Sequence, residues 1–138
     1  MPSPSLARAA GPTPFWDGAL DLRVAAVGDA HDARSIVVPF DLVAPTGSHE
    51  PARALDITLH RDPGGVDVLV HRLGPGATVH VGRDGAPKVV FVARGLGRVQ
   101  TGHEVVDVAA EQSLDAGAGA VTITAGREGA TAIVISHA

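Results

Sequence analysis

The sequence predicts an all-β domain, a jelly roll or small β-barrel of two packed antiparallel sheets. Short runs rich in Val, Ile and Leu recur at intervals of about ten residues, a spacing typical of sandwiches and barrels. The 17 Gly and 10 Pro residues fall mostly between these runs and supply turns. No segment shows the 3.6-residue period of an amphipathic helix. A chain of 138 residues is long enough for one hydrophobic core.

Composition excludes several classes of function. The chain has no cysteine, which excludes a disulfide framework, a thiolate metal site and a Cys nucleophile. The formal net charge is −4 and the 11 Lys and Arg residues are scattered, so we expect no nucleic-acid partner. Prolines interrupt the N-terminal segment, which does not resemble a signal peptide, and no apolar run approaches the ~20 residues of a membrane span. We therefore expect a cytoplasmic protein without a membrane partner.

The N-terminal segment differs from the rest of the chain. Pro2, Pro4, Pro12 and Pro14 oppose both helices and sheet ladders. We predict a flexible Pro-rich arm over residues 1–14 and a single β-domain over residues 15–138.

The first half of the domain contains four predicted strands. The second includes Pro39 and is therefore expected at an edge or a bulge. The third alternates, with Leu55 and Ile57 on one face and Asp56 and Thr58 on the other. A turn at residues 62–65 predicts a hairpin between the third and fourth strands. The four strands are Leu20–Val27, Ser35–Val43, Leu55–His60 and Val66–Leu73.

The second half contains six further runs. Lys88–Arg94 is apolar on both faces and reads as a central strand, which Gly95 and Gly97 are expected to end. Residues 102–103 predict a hairpin, and residues 109–114 could form at most one helical turn. The remaining strands are Ala77–Val81, Arg98–Thr101, Glu104–Val108, Ala120–Thr124 and Thr131–Ser136.

Several of these segments resemble the conserved motifs of cupins. The turn Gly74-Pro75-Gly76 and the strand Val89–Gly95 resemble the opening and the end of the first cupin motif. Ser113–Ala118 and Ile123–Gly126 resemble parts of the second motif. The resemblance implies a jelly roll with a central pocket.

The metal-ligand positions of those motifs are occupied by other residues. Only His80 stands near the usual His-x-His pair, the Glu position falls on Lys88, and the final His position falls near Gly129. A protonated lysine has no lone pair for a metal. We therefore expect no metal and no other cofactor.

Within cupins the chain is most similar to the HutD/Ves family, whose members lack that metal site. The segment Arg53–Arg61 resembles a conserved strand of that family, with Asp56 and Arg61 retained and Thr58 at an Asn position. The similarity covers roughly residues 50–125. It implies a protein that binds a small metabolite and is associated with histidine breakdown, with regulation as one of its expected roles.

Three histidines, His60, His71 and His80, lie on consecutive predicted strands. If they converge with Asp56 and Thr58 on one face, they form a ligand pocket or an acid–base set, because histidine titrates near neutrality. The alternation of polar and apolar residues favours the other interpretation, a solvated outer sheet face. A third interpretation is an improvised Zn²⁺ or Fe²⁺ site formed by two or three histidines and Asp56, with His103 as a further candidate ligand.

Three basic residues complete the candidates. Lys88 either extends to water from the end of its strand or contacts an anionic substrate. Arg61 and Arg72 flank the first predicted hairpin and could each bind a carboxylate or simply be solvated.

These observations leave the class of function open. We expect a metal-independent protein that binds a small organic metabolite in the barrel, through Asp56, Thr58, His60, Arg61, His71, His80 and Lys88. The alternative is a metal-independent isomerase, cyclase or dehydratase that uses the same histidines and shape to act on a small biosynthetic substrate. An interaction module is the third hypothesis, and we expect a homodimer by analogy with other proteins of this fold.

Overall fold

The computed structural model describes residues 6–8, 10–12, 20–26, 35–39, 53–59, 66–81, 87–102 and 104–137. They belong to two compact units, one formed by residues 1–8 and 62–138 and the other by residues 9–61. We call these unit 1 and unit 2. None of the described segments forms a helix that is long and apolar enough to cross a membrane.

Unit 2 contains a four-stranded antiparallel sheet. Its strands are β2 (Ala10–Pro12), β3 (Leu20–Ala26), β4 (Ser35–Pro39) and β5 (Arg53–Leu59), in the order β2-β3-β5-β4. Leu55 and Ile57 on β5 are completely buried, whereas Asp56 and Thr58 are half-buried. The predicted alternation of β5 is therefore confirmed, as is the edge position of the strand that contains Pro39.

Unit 1 contains a seven-stranded antiparallel sheet around two long strands, β8 and β11. The order is β1-β10-β8-β11-β6, with β7 also paired to β11 and β9 to β8. Strands β6 and β7 follow each other along one side of β11. The strands are β1 (Leu6–Arg8), β6 (Val66–Leu73), β7 (Thr78–Val81), β8 (Lys88–Thr101), β9 (Glu104–Ala109), β10 (Gln112–Gly117) and β11 (Val121–His137).

The long strands change direction at a bulge. Gly95 pairs with Ala130 and Gly97 with Ala125, so residues 126–129 of β11 oppose a single residue of β8. Gly95 and Gly129 have φ of 75° and 80°, in the left-handed region that glycine adopts without strain. The inward-facing positions of β11 change here from odd numbers, Val121 and Ile123, to even ones, Ala132 and Val134, which is the effect of a bulge on side-chain alternation.

The core of unit 1 lies between the two halves of this sheet. One cluster contains residues from both sides of the bulge. Val90, Val92 and Val134 lie on one side of it and Val99 and Ile123 on the other, and all five are completely buried. At the corner, a Cβ on Gly97 would lie 3.2 Å from Cγ2 of Val92. The sheet therefore folds over its own aliphatic core.

Most of the predicted architecture is confirmed. The structure is all-β with two antiparallel sheets, and Val66–Leu73 has the predicted bounds. Strands β8 and β9 form the hairpin that was expected around residues 102–103. Both faces of residues 88–93 are buried, as expected for a central strand.

Several predictions differ from the structure. The runs Ala120–Thr124 and Thr131–Ser136 belong to one strand, β11, and residues 112–114 begin β10 instead of forming a helical turn. The prediction of a hairpin between β5 and β6 is wrong. Strand β5 pairs with β3 on one edge and β4 on the other, whereas β6 pairs with β11. Gly95 and Gly97 do not end β8, because a bulge accommodates them within the ladder. Residues 6–8 and 10–12 form paired strands despite the nearby prolines; both strands lie at sheet edges, where proline is compatible with pairing. The boundaries of the arm and the domain stay a prediction.

Candidate functional site

Asp56 and Thr58 lie on the half-buried face of β5 in unit 2. Arg23 on β3 stands directly opposite Asp56 in the register, a neighbour that the sequence pattern did not indicate. His60, Arg61 and His103 lie outside the described residues. Their proposed roles therefore stay predictions.

His71 and His80 both lie beside β11 in unit 1, but far apart along it. His71 is opposite Ala132, and His80 is opposite Thr122. His71 is half-buried on the side of the inner cluster, and its buried Nε2 has no hydrogen-bond partner in the described part of the chain. His80 is exposed on the other side of the sheet. The structure does not bring these two histidines together.

Lys88 begins β8 and is completely buried. The expectation that its side chain extends to water is wrong, because the loop between β10 and β11 supplies an acceptor inside the protein. Its Nζ donates a hydrogen bond to the carbonyl oxygen of Gly119 at 2.7 Å, and this is one of its polar interactions. Lys88 therefore links the start of β8 to that loop.

Asp115 on β10 lies on the other edge of β8, opposite Val89. Desolvation by burial raises the pKa of its carboxyl above the ordinary value of 3.8, although the backbone N–H of Gly117 donates to Oδ1 and lowers the pKa. This carboxyl is therefore less acidic than an exposed aspartate.

The exposed surface of β7, β11, β8 and β9 carries two polar rows, which we call the outer face. The first row runs across four strands in register, through Thr78, Thr124, Arg98 and Asp107. The second row consists of the polar residues His80, Thr122 and Gln100 and ends at the exposed, apolar Val105. The outer face lies opposite the aliphatic cluster, so the interpretation of alternating polar residues as a solvated face holds for Thr78 and His80.

Cross-strand hydrogen bonds organise the outer face. The hydroxyls of Thr78 and Thr124 lie 3.1 Å apart, and either can donate. His80 Nδ1 lies 3.0 Å from the hydroxyl of Thr122. Arg98 Nε donates to Asp107 Oδ1 at 3.1 Å, and both side chains remain more than half exposed. Such an exposed pair contributes little to stability and leaves the guanidinium accessible.

A groove of about 520 Å³ opens along the first row, and Thr124, Arg98 and Asp107 of that row line it. Its floor and walls come from the turn before β7, from β8 and β9, and from the bulged part of β11. The lining residues are Pro75, Gly76, Leu96, Arg98, Asp107 and residues 124–127.

Backbone hydrogen bonds fix the walls of the groove. Gly76 N donates to the carbonyl oxygen of Gly126 at 3.2 Å, and Ala125 N donates to that of Ala77 at 2.8 Å. Within the turn, Ala77 N donates to Gly74 O at 3.0 Å. The turn is therefore attached directly to the β11 bulge, and the shape of the groove follows from the sheet rather than from a separate loop.

The charges of the groove are predominantly positive. Arg98 and Arg127 line it together with Asp107. The ion pair of Arg98 uses Nε alone, and Arg127 makes neither a hydrogen bond nor an ion pair within the described residues. The groove thus contains two guanidinium groups and one carboxylate, which leaves N–H donors available for an anion.

None of the residues that line the groove was predicted from the sequence to belong to a functional site. The hairpin around residues 102–103 already contained one signal, because its register places Arg98 opposite Asp107. Leu96 and Arg127 gave no such signal, since the β11 bulge brings them into the groove. No group of three or more His, Asp or Glu residues that could hold a metal ion occurs in the described segments.

No family model matches the chain, and neither does any curated protein. Solved structures with similarity include a protein of unknown function from Rhizobium leguminosarum, with 17% identity over 77% of this chain and 83% of that one, and a TM-score of 0.44.

Two further similar structures have titles that name a cupin domain. One is the cupin domain of an XRE family transcriptional regulator from Enterobacter cloacae, with 16% identity over 76% of this chain and 97% of that one, and a TM-score of 0.48. The other is a cupin 2 domain-containing protein from Halorhodospira halophila, with 18% identity, coverage of 84% and 75%, and a TM-score of 0.47. Similarity at this level assigns neither a family nor a function to the chain, and the HutD/Ves relationship stays a prediction.

Proposed function

We propose that the chain binds a small organic molecule in the groove of unit 1. The observation that carries this proposal is the groove itself, whose volume of about 520 Å³ lies within the range of small-molecule sites. Its lining combines an apolar part, including Pro75 and Leu96, with a few charged groups, including Arg98. This combination is typical of sites that hold a metabolite by shape and orient it by a few polar contacts.

The groove is a better location for the ligand than the inner faces of the sheet, where the sequence led us to expect it. Apart from His71, the inner positions discussed above are filled by aliphatic side chains such as Val92, Val99 and Ile123, which are completely buried against one another. Opening a site there would separate packed side chains, and each lost contact would cost dispersion energy. The groove needs no such rearrangement.

The ionisable groups of the groove favour binding over proton transfer. A guanidinium offers N–H donors and no acceptor, so Arg98 and Arg127 are suited to holding a ligand by hydrogen bonds. Asp107 is directed to Arg98 by an ion pair. The arrangement therefore supports recognition of a ligand by fixed donors.

Gly126 offers a way to test the site without disturbing the fold. A methyl group added there would lie 3.5 Å from Leu96 Cβ, an ordinary contact, and its φ is not in the left-handed region. Because both residues line the groove, Gly126→Ala narrows it. Gly119→Ala is the matched control, since nothing lies within 4 Å of its added methyl group and it is outside the groove.

The experiment is saturation-transfer NMR with three probes that share a six-carbon body: hexanoate, hexanamide and hexylamine. We expect at least one probe to bind the unmodified protein and the Gly119→Ala variant, and to bind Gly126→Ala several-fold more weakly. If no probe binds, or if Gly126→Ala binds as well as its control, the proposal is wrong.

A further inference from the structure

The groove presents more cationic hydrogen-bond donors than its own carboxylate uses. Arg98 gives Nε to Asp107, while its terminal nitrogens have no partner among the described residues. Arg127 is exposed and makes no polar contact in the described part of the chain. A guanidinium carries five N–H donors in a planar fork that matches the two oxygens of a carboxylate.

An apolar surface lies beside these donors. Leu96 is 43% exposed although it is a large aliphatic residue, and it lines the groove together with Pro75 and Ala125. A ligand that covers Leu96 would remove this apolar area from water, which favours binding roughly in proportion to the area covered. The ligand that satisfies both parts of the lining has an apolar body and an anionic head group.

Thr124 adds a neutral polar contact between the two parts. Its hydroxyl lies 3.1 Å from that of Thr78, an interaction that uses only one of its donor and acceptor positions. Thr124 stands opposite Arg98 in the β8–β11 register, so its hydroxyl and the guanidinium belong to the same row. With Thr78 as the donor of that pair, the O–H of Thr124 can donate to an anion at Arg98.

From these contacts we propose that the ligand class is a small organic acid, with the acid group held by Arg127 and Arg98 and the apolar body against Leu96. This inference rests on the proposed function, since it specifies the chemistry of a ligand in the same groove. Asp107 limits the charge of the ligand, because a second acid group near it would meet like-charge repulsion. A monoacid is therefore favoured over a diacid.

The test compares hexanoate with hexanamide, which has nearly the same shape but no charge, by titration of the ¹⁵N-labelled protein followed by amide chemical shifts. We expect hexanoate to bind at least about tenfold more tightly, a difference of about 1.4 kcal/mol. We also expect 0.5 M NaCl to weaken hexanoate binding and to leave hexanamide binding unchanged, since salt screens exposed charges. Hexyl phosphate, which shares the apolar body, distinguishes a phosphate ester from a carboxylate as the preferred acid.

The variants separate the contact from the overall charge. Arg127→Gln should weaken hexanoate binding several-fold while leaving hexanamide binding unchanged, and Arg127→Lys should restore part of the affinity. Arg72→Gln is the control, because it removes the same charge from an exposed position outside the groove.

Each outcome decides one of the two proposals. Equal binding of hexanoate and hexanamide in the groove would overturn the organic-acid inference and leave small-molecule binding standing. Equal losses of hexanoate affinity in Arg127→Gln and Arg72→Gln would also overturn it, because the effect would then be one of net charge. Absence of binding by every probe would overturn both proposals.

Discussion

The bulge that folds the unit 1 sheet over its own core predicts a large effect of a very small substitution, Gly95→Ala. Gly95 has a φ of 75°, and an alanine held there costs about 1–2 kcal/mol relative to its preferred conformations. The added Cβ would also overlap with the carbonyl oxygen of Gly129 and lie 3.1 Å from Cα of Ala130. Both of these neighbours are backbone atoms of β11, so they cannot move aside as a flexible side chain can.

The two contributions can be estimated separately. Overpacking of this kind costs about 1–3 kcal/mol, so the total destabilisation is about 2–5 kcal/mol. That is a large share of the ~5–15 kcal/mol by which a typical domain is stable. In a chain of this size it should lower the thermal midpoint by about 6–15 °C.

Gly102→Ala isolates the backbone contribution. Gly102 also has a positive φ, 58°, but nothing lies within 4 Å of a Cβ placed on it. Urea denaturation followed by circular dichroism measures the free energy of unfolding of both variants. We expect Gly95→Ala to lose at least about 1 kcal/mol more than Gly102→Ala. Equal losses would show that β8 and β11 are not in close contact at the bulge and would refute this description of the fold.

Four further predictions can be checked by the same denaturation method. Ile123→Ala should cost about 2–5 kcal/mol, because it removes a completely buried side chain from the inner cluster. His80→Ala should change stability by less than about 1 kcal/mol, since its hydrogen bond lies on the exposed outer face; a larger loss would show that His80 supports the core. Lys88→Met should cost about 1–3 kcal/mol, because it removes the hydrogen bond to Gly119 and the other polar interactions of a completely buried lysine. Because the pKa of Asp115 is raised in the folded state, its carboxyl ionises at a lower pH in the unfolded chain, and this residue reduces stability as pH rises above about 4. Asp115→Asn should therefore be more stable than the unmodified protein at pH 7 but not at pH 3. An equal effect at both pH values would contradict the burial of this carboxyl.

Local patterns in the sequence were sufficient to predict most individual strands. Val66–Leu73 lies between two turn clusters that fix both of its ends, and its bounds are as predicted. The β8–β9 hairpin was predictable because its two strands flank a short turn and alternate in phase. In both cases the information lies within a few residues of the element itself.

Pairing between distant strands was not predictable from these patterns. The turn at residues 62–65 suggested a hairpin, yet β6 pairs with β11, whose sequence lies about 60 residues further along the chain. Likewise, Gly95 usually signals the end of a strand, and only its contact with Gly129 shows that it forms a bulge within one. Such choices depend on contacts that a single local pattern does not contain.

The candidate site was the least predictable part for the same reason. Sequence reasoning favoured His71 and His80 because histidine has a distinctive chemistry, but the register places them opposite Ala132 and Thr122. The groove is lined instead by residues with no distinctive motif, such as Leu96 and Arg127, which meet only through the bulge.

The central claim is that unit 1 binds its ligand on the outer side of the folded sheet and not within its aliphatic core. The most direct test is methyl NMR of the protein with ¹³C-labelled Leu and Val methyl groups during titration with hexanoate. We predict that the Leu96 methyl signals shift with saturation, whereas those of the completely buried Val92 and Val99 do not. Saturable shifts confined to Val92 and Val99 would place the ligand inside the sheet and contradict the account.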